Sequence, residues 1–257
     1  MESLPDTSPG FILVSFLASF AACFLSSLAG GGAGLVLLPI LLLLGLPFVN
    51  ALASHKLAVG FIGIGSGYRY MKAGLIHWPV FWWTGLVGVP FVVLGTLFAA
   101  RISGDIMRPI LGGIILAIVV VSFLKKGGYL DHNPRQLSLR AWGIATLLLL
   151  PMGFYSGWVS AGAGIFTTYL YLLFFRYDQL HATAMTLSAN GIFWNAVGAI
   201  SHVFLGNVVW SLAPGMVGGA LLGSYCGASV GIKRGNRFLR VIFLTAASVT
   251  GLLLLLR

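Results

Sequence analysis

Four glycines in five residues, within LAGGGAGLVLLP at Leu28 to Pro39, constrain this chain more than any other feature. The run sits between strongly apolar stretches and returns in altered form as WVSAGAGIFTT at Trp158 to Thr168. Glycine costs about 1 kcal/mol relative to alanine in a helix interior, so such a cluster ends a helix. As one helix, 11 to 46 would be about 54 Å long at 1.5 Å per residue, against a bilayer core of about 30 Å. The chain must turn or break near the glycines, as two tight crossings or as a re-entrant pair. Backbone freed inside a membrane is tolerated only where protein or an aqueous cavity covers it. Two matching breaks therefore predict one site built between two halves.

The membrane setting follows from composition. With 58% hydrophobic and 8% charged residues and a mean hydropathy of +0.99, the chain is expected to be a polytopic, all-helical membrane protein forming one unit over 1 to 257. The net charge of +10 would suggest nucleic acid in a soluble protein. Here the Lys and Arg residues gather at the ends of apolar segments, as topology signals do, so no nucleic-acid partner is expected. Cys23 and Cys226 lie in separate apolar segments with no CxxC pair, which speaks against disulfide, zinc and thiol-relay roles and suggests buried packing residues. Glu2 and Asp6 give an acidic start, unlike a cleavable signal peptide, so Phe11 to Leu28 is expected to remain in the mature protein.

Apolar runs bounded by charge, Gly or Pro give roughly ten segments, so about 8–10 membrane segments are expected. They are 11 to 29, 33 to 46, 51 to 71, 78 to 100 and 106 to 124, then 139 to 158, 162 to 175, 180 to 203, 208 to 231 and 238 to 256. Punctuation recurs between the halves at an offset of 130 to 132: Gly32-Ala33-Gly34 with Gly162-Ala163-Gly164, Gly74 and Trp78 with Gly206 and Trp210, and Gly95 with Gly227. This predicts an internal duplication of about 11 to 124 and 139 to 256, joined by a linker at 125 to 138. Eleven of the 15 basic residues fall in the connections around Arg69 and Lys72, Lys125 to Arg140, Arg176 and Lys233 to Arg240. Those connections, the linker among them, are expected on the cytoplasmic side, with both termini outside. Each half then holds an odd number of crossings, which makes the repeats inverted and puts a substrate site near the midplane.

Candidate chemistry concentrates in two stretches. In ALASHKLAVGFIGIGSGYRYMKAG, Lys56, Gly60, Gly63 and Gly67 share one helical face, so Lys56 is expected to point into protein. One reading has it snorkelling to the interface; the other makes it an anion ligand, since all five acidic residues lie in termini or loops. In HATAMTLSANGIFWNAVGAISH, Thr186 and Asn190 share a face, and Gly191, Asn195, Gly198 and His202 form an adjoining stripe. The amides bond neighbouring helices or donate to substrate oxygens. The helix termini at Gly31 to Gly34 and at Ser160 to Gly162 offer backbone N–H groups and positive dipole ends to an anion, with Ser160 as an added donor or a cap. Gly215, Gly219, Gly223, Gly227 and Gly231 make a four-residue ladder, read as a packing face within one chain or between two, which leaves the oligomeric state open. His55 and His202 are candidates for proton coupling. A sodium site would have to use carbonyls, hydroxyls and amides alone.

On these residues the chain resembles the sulfite exporter TauE/SafE family, also called the 4-toluene sulfonate uptake permease family. The resemblance runs from about Phe24 to Leu254. Its carriers are AGGGAG before an apolar run ending in LGLP, ALASHKLA with GLIHW, and then SAGAG, HATAMT, Asn190 with Asn195, and GNVVW. It implies a transporter of sulfite, sulfonates or related small anions, carboxylates included, in the bacterial cytoplasmic membrane. By position, Ser54, His55 and Lys56 match the family's polar element in the first half, and Thr186, Asn190 and Asn195 its counterpart in the second. The chain departs from many members at Leu187, where they carry a Lys. The substrate set expected is Ser54, His55, Lys56, Gly31, Gly32, Ala33, Gly34, Ser160, Ala161, Gly162, Thr186, Asn190 and Asn195, with no metal and no cofactor. The leading expectation is a secondary transporter for a small sulfur-containing anion. An anion channel competes with it, while a membrane thiol-redox enzyme lacks a reactive cysteine pair.

Overall fold

The computed structural model of the chain describes residues 9–124, 134 and 137–234. The segment expected at 238 to 256 and most of the linker at 125 to 138 lie outside the described residues. Those residues that fold regularly are helical. The helices are α1 (Pro9–Ala29), α2 (Ala33–Leu43), α3 (Phe48–Gly60), α4 (Ile62–Lys72), α5 (Trp78–Ala99), α6 (Gly104–Leu124), α7 (Leu139–Trp158), α8 (Ala163–Phe174), α9 (Gln179–Ala189), α10 (Ala196–Phe204) and α11 (Ala213–Arg234). A π-helical turn, Asn190–Asn195, joins α9 to α10.

Among the described residues four stretches are long and apolar enough to cross a membrane: Pro9–Leu28, Phe48–Lys72, Trp78–Ala99 and Ala213–Lys233. The helices that follow the glycine breaks are different. With 11 and 12 residues, α2 and α8 reach about 17 and 18 Å, roughly half of a bilayer core. They begin within the protein at Gly32 and Gly162, both in the left-handed region, and neither can cross the membrane alone. Three other segments also differ from their expected outlines. The run drawn at 51 to 71 starts at Phe48, behind Pro47, and breaks at Phe61, where flanking Gly60 and Gly63 weaken the helix. The one drawn at 180 to 203 contains the π turn. The one drawn at 208 to 231 starts only at Ala213, because the chain makes tight turns from Val209 to Ala213.

Small residues set the packing. The ladder Gly215, Gly219, Gly223 and Gly227 lies against the α1 backbone at Ile12, Phe16, Phe20 and Phe24, so this face is used within the chain. In the same manner Gly153 and Gly157 of α7 meet the backbone of α5 at Gly88 and Val92. Thus α1 packs along α11 from the other half, and α7 along α5. In addition α3 packs on α10, and α4 on both α9 and α11. Apolar side chains such as Leu13, Leu17, Leu86, Leu94, Leu147 and Leu222 cover the outside, as lipid contact requires. Cys23 is buried as expected; Cys226 is exposed, because it lies off the glycine face that α11 turns toward α1.

Candidate functional site

The two glycine breaks meet. Three consecutive glycines, Gly30, Gly31 and Gly32, have φ of 89°, 110° and 99°, a run open only to residues without a Cβ. The second break uses Ser160 (φ 65°) and Gly162 (φ 78°). At their contact a Cβ on Gly31 would stand 3.1 Å from the Gly164 carbonyl carbon, and one on Gly34 would stand 3.0 Å from the Ala161 Cα. The 130-residue offset exchanges these two contacts: Gly31 corresponds to Ala161, and Gly34 to Gly164. Backbone therefore touches backbone, and the starts of α2 and α8 converge. Some of their first N–H groups are bonded within the break itself, Leu35 to the Gly32 carbonyl, Ala163 to that of Ser160 and Ile165 to that of Gly162, and each start carries the positive end of a helix dipole.

A cavity of about 40 Å³ lies at this junction, where one water requires roughly 10–15 Å³. Nine of the expected residues line it: Gly31, Gly32, Ala33, Gly34, His55, Ser160, Thr186, Asn190 and Asn195. Ser54, Ala161 and Gly162 are not in its wall. Ser54 is buried on α3 with its hydroxyl unpartnered, Ala161 packs against Gly34, and Gly162 starts α8.

Lys56 is fully buried, so it does not snorkel. Its ammonium donates to Ser156 Oγ and to Asn195 Oδ1, both at 3.1 Å. Those two side chains belong to the wall and Lys56 does not, so the cation stands behind the wall, bonded to it. It has no carboxylate partner among the described residues. The glycine stripe expected beside Lys56 is the close-packed face: Lys56 meets Gly198, Gly60 meets Ala196, Gly63 meets Gly191, and Gly67 meets Ser188.

The π turn brings the two asparagines together. In an ideal α-helix residues five apart diverge by about 140°, which is why the sequence puts Asn190 and Asn195 on adjoining stripes. The wider turn lets Asn195 Nδ2 donate to the Asn190 carbonyl at 3.0 Å, leaving Oδ1 for Lys56. Asn190 Nδ2 donates to Thr167 Oγ1 at 3.0 Å, and that hydroxyl donates to the Ala163 carbonyl. An obligate donor at Oδ1 and an obligate acceptor at Nδ2 thereby fix the Asn195 amide in orientation. Thr168 Oγ1 donates to the Gly30 carbonyl at 2.8 Å and also contacts Thr186 Oγ1, tying the first break to the second half. His55 Nε2 and Ser160 Oγ share a hydrogen bond of 3.1 Å. Three polar atoms of wall residues remain buried without a partner: Ser26 Oγ, His55 Nδ1 and Asn190 Oδ1.

Ser26, Ser156 and Gly164 were absent from the expected set. Ser26 and Ser156 each precede their break's glycine by six residues and are related by the same offset of 130. Extending the repeat alignment toward the N-terminus of each break would have found them.

Residues 15–254 match the family described as sulfite exporter TauE/SafE. A probable membrane transporter protein, ORF9, of Sinorhizobium sp is 30% identical over 93% of this chain and 90% of its own length. A probable membrane transporter protein of Haemophilus influenzae is 27% identical over 91% of each chain. The probable membrane transporter protein YfcA of Escherichia coli K12 is 26% identical over 96% of this chain and 91% of its own. No solved structure matches the chain. With the family match spanning nearly the whole sequence, the chain belongs to the sulfite exporter TauE/SafE family of membrane transporters.

Proposed function

We propose that this protein is a secondary transporter that carries a small sulfur-containing anion, of sulfite or organosulfonate type, across the bacterial cytoplasmic membrane. The observation that carries the reading is a buried cation with no acidic partner among the described residues, held behind a cavity on which two helix N-termini converge. An uncompensated buried charge is costly, and an anion in the cavity is the partner that offsets it. The helix starts add N–H donors and dipole ends without a second charge.

The halves are inverted repeats that rock about this site, exposing it to each side in turn. The exchanged contacts at Gly31 with Gly164 and Gly34 with Ala161 support that symmetry. The basic connections face the cytoplasm and both termini the outside. Protons are the proposed coupling ion, since the described residues hold no intramembrane carboxylate that a sodium site would favour.

The test is ligand-induced thermal stabilisation of detergent-purified protein by sulfite, thiosulfate, a sulfonate and a short carboxylate, with Lys56→Ala beside the wild type. A ligand at 100 times its Kd contributes about 2.7 kcal/mol, a readily measured shift. Stabilisation that disappears in Lys56→Ala supports the reading. Equal stabilisation of both proteins overturns Lys56 as the anion's counter-charge. Proteoliposome flux then separates carrier from channel, because channel flux far exceeds carrier turnover.

A further inference from the structure

We infer that the cavity selects an anion with a single charge that also presents one hydroxyl donor, such as a hydroxysulfonate or a protonated oxyanion. The inference rests on the reading of this cavity as an anion site and adds what kind of anion it takes. Two independent observations carry it.

The first is an acceptor with nothing to accept from. Asn190 is 5% exposed, lines the cavity, and has no partner at Oδ1. Asn190 Nδ2 donates to Thr167 Oγ1, whose own proton goes to the Ala163 carbonyl, and this arrangement leaves Oδ1 without a donor. A bare oxyanion would press lone pairs against Oδ1. An O–H on the anion converts that repulsion into a hydrogen bond and satisfies a buried acceptor. The remaining wall groups suit the anion's own oxygens. Ser26 has a free hydroxyl, and Ser156 has its proton available because Oγ accepts from Lys56.

The second is a charge present once where the fold has two places for it. The offset that relates His55 to Thr186 relates Lys56 to Leu187, and the one that relates Ser26 to Ser156 is 130. Lys56 donates to Ser156. In the exchanged position Leu187 lines the cavity, and Ser26 Oγ has no partner. Among the described residues one cation stands behind the wall, which balances one negative charge and leaves a dianion with an unpaired charge in a buried cavity.

The experiment compares methanesulfonate with hydroxymethanesulfonate, of equal charge and differing by one hydroxyl, by calorimetric binding to the purified full chain, with sulfate as the dianion. The expected result is hydroxymethanesulfonate binding about tenfold or more tighter than methanesulfonate, as one buried hydrogen bond affords, and both binding tighter than sulfate. In Asn190→Leu the ratio of the two sulfonate affinities should fall to about unity, whatever the loss in each. Equal affinity for the two sulfonates in the wild type, or tighter sulfate binding, overturns the inference. So does binding that requires sodium without a hydroxyl preference, which would assign Asn190 Oδ1 to a cation. None of these results touches the anion site itself, which fails separately if no anion binds or if Lys56→Ala changes nothing.

Discussion

The polar elements of the two halves occupy equivalent places and carry different chemistry. On α3, Ser54, His55 and Lys56 lie in a regular helix and bring a full charge to the site. On the matching helix, Thr186 and Leu187 bring none, and the π turn after them turns two amides inward instead. The backbone cradle is shared by both halves; the charge is not. Under the proposed mechanism the shared scaffold would let the site be reached from either side, and the unequal side-chain set would decide what is bound there. The two breaks differ similarly. Gly30 to Gly32 form the first from glycine alone, whereas the second places Ser160 in the left-handed region and uses its hydroxyl on His55.

Making the first half resemble the second should have the largest effect. Lys56→Leu removes the cation and leaves Ser156 and Asn195 without their donor, and anion binding should fall by about 100-fold or more, or roughly 3 kcal/mol. If the halves are exchangeable, Lys56→Leu combined with Leu187→Lys should recover much of that loss. No recovery, in protein that elutes as a single species, would show that the amides of the π turn are needed on the side opposite the charge.

The contact between the breaks can be probed from both sides. Gly31→Ala places a Cβ at 3.1 Å from the Gly164 backbone and does so at a φ of 110°, so a stability loss of about 2–3 kcal/mol is expected. Gly164→Ala approaches the same contact at 3.3 Å from ordinary helical backbone and should cost about 1 kcal/mol. Equal losses in thermal unfolding would mean that close approach, not left-handed backbone, dominates at the first break.

Much of this site was legible before any coordinates. Glycine clusters at membrane depth can hardly be read as anything but breaks, and the spacing of Lys56, Gly60, Gly63 and Gly67 placed them on one face because helical periodicity needs no tertiary information. The π turn left no such trace. NGIFWN is unremarkable in composition, and the wider turn is stabilised by contacts that only the packed bundle supplies, such as Asn195 bridging to Lys56 on α3. The position of Lys56 behind the wall was hidden for the same reason: periodicity gives a direction, and whether Ser156 stands in between depends on how α7 crosses α3. Ser26 and Ser156 were visible in principle, through the repeat and not through residue chemistry.

Leu187→Lys alone tests whether the second cation position survives in the fold. Its ammonium would find Ser26 Oγ, which is buried and unpartnered. A second charge should destabilise the anion-free protein and raise affinity for sulfate by about tenfold relative to methanesulfonate. Unchanged relative affinity would mean that Leu187 is ordinary packing and that the halves differ by more than a charge.

The smallest expected effect concerns the strained residue of the second break. Ser160 at φ 65° costs about 1–2 kcal/mol in backbone strain, offset in part by the bond to His55. Ser160→Ala keeps the strain and loses the bond, so stability should drop by about 1 kcal/mol. Ser160→Gly loses the same bond but relieves the strain, less the entropy that glycine adds to the unfolded chain, and should come out near neutral. If the strain serves to aim the hydroxyl, both variants weaken anion binding equally although their stabilities differ. Should only the alanine variant bind worse, the second break would be working as the first does, through its backbone alone, and the contrast between them would reduce to the charge on α3.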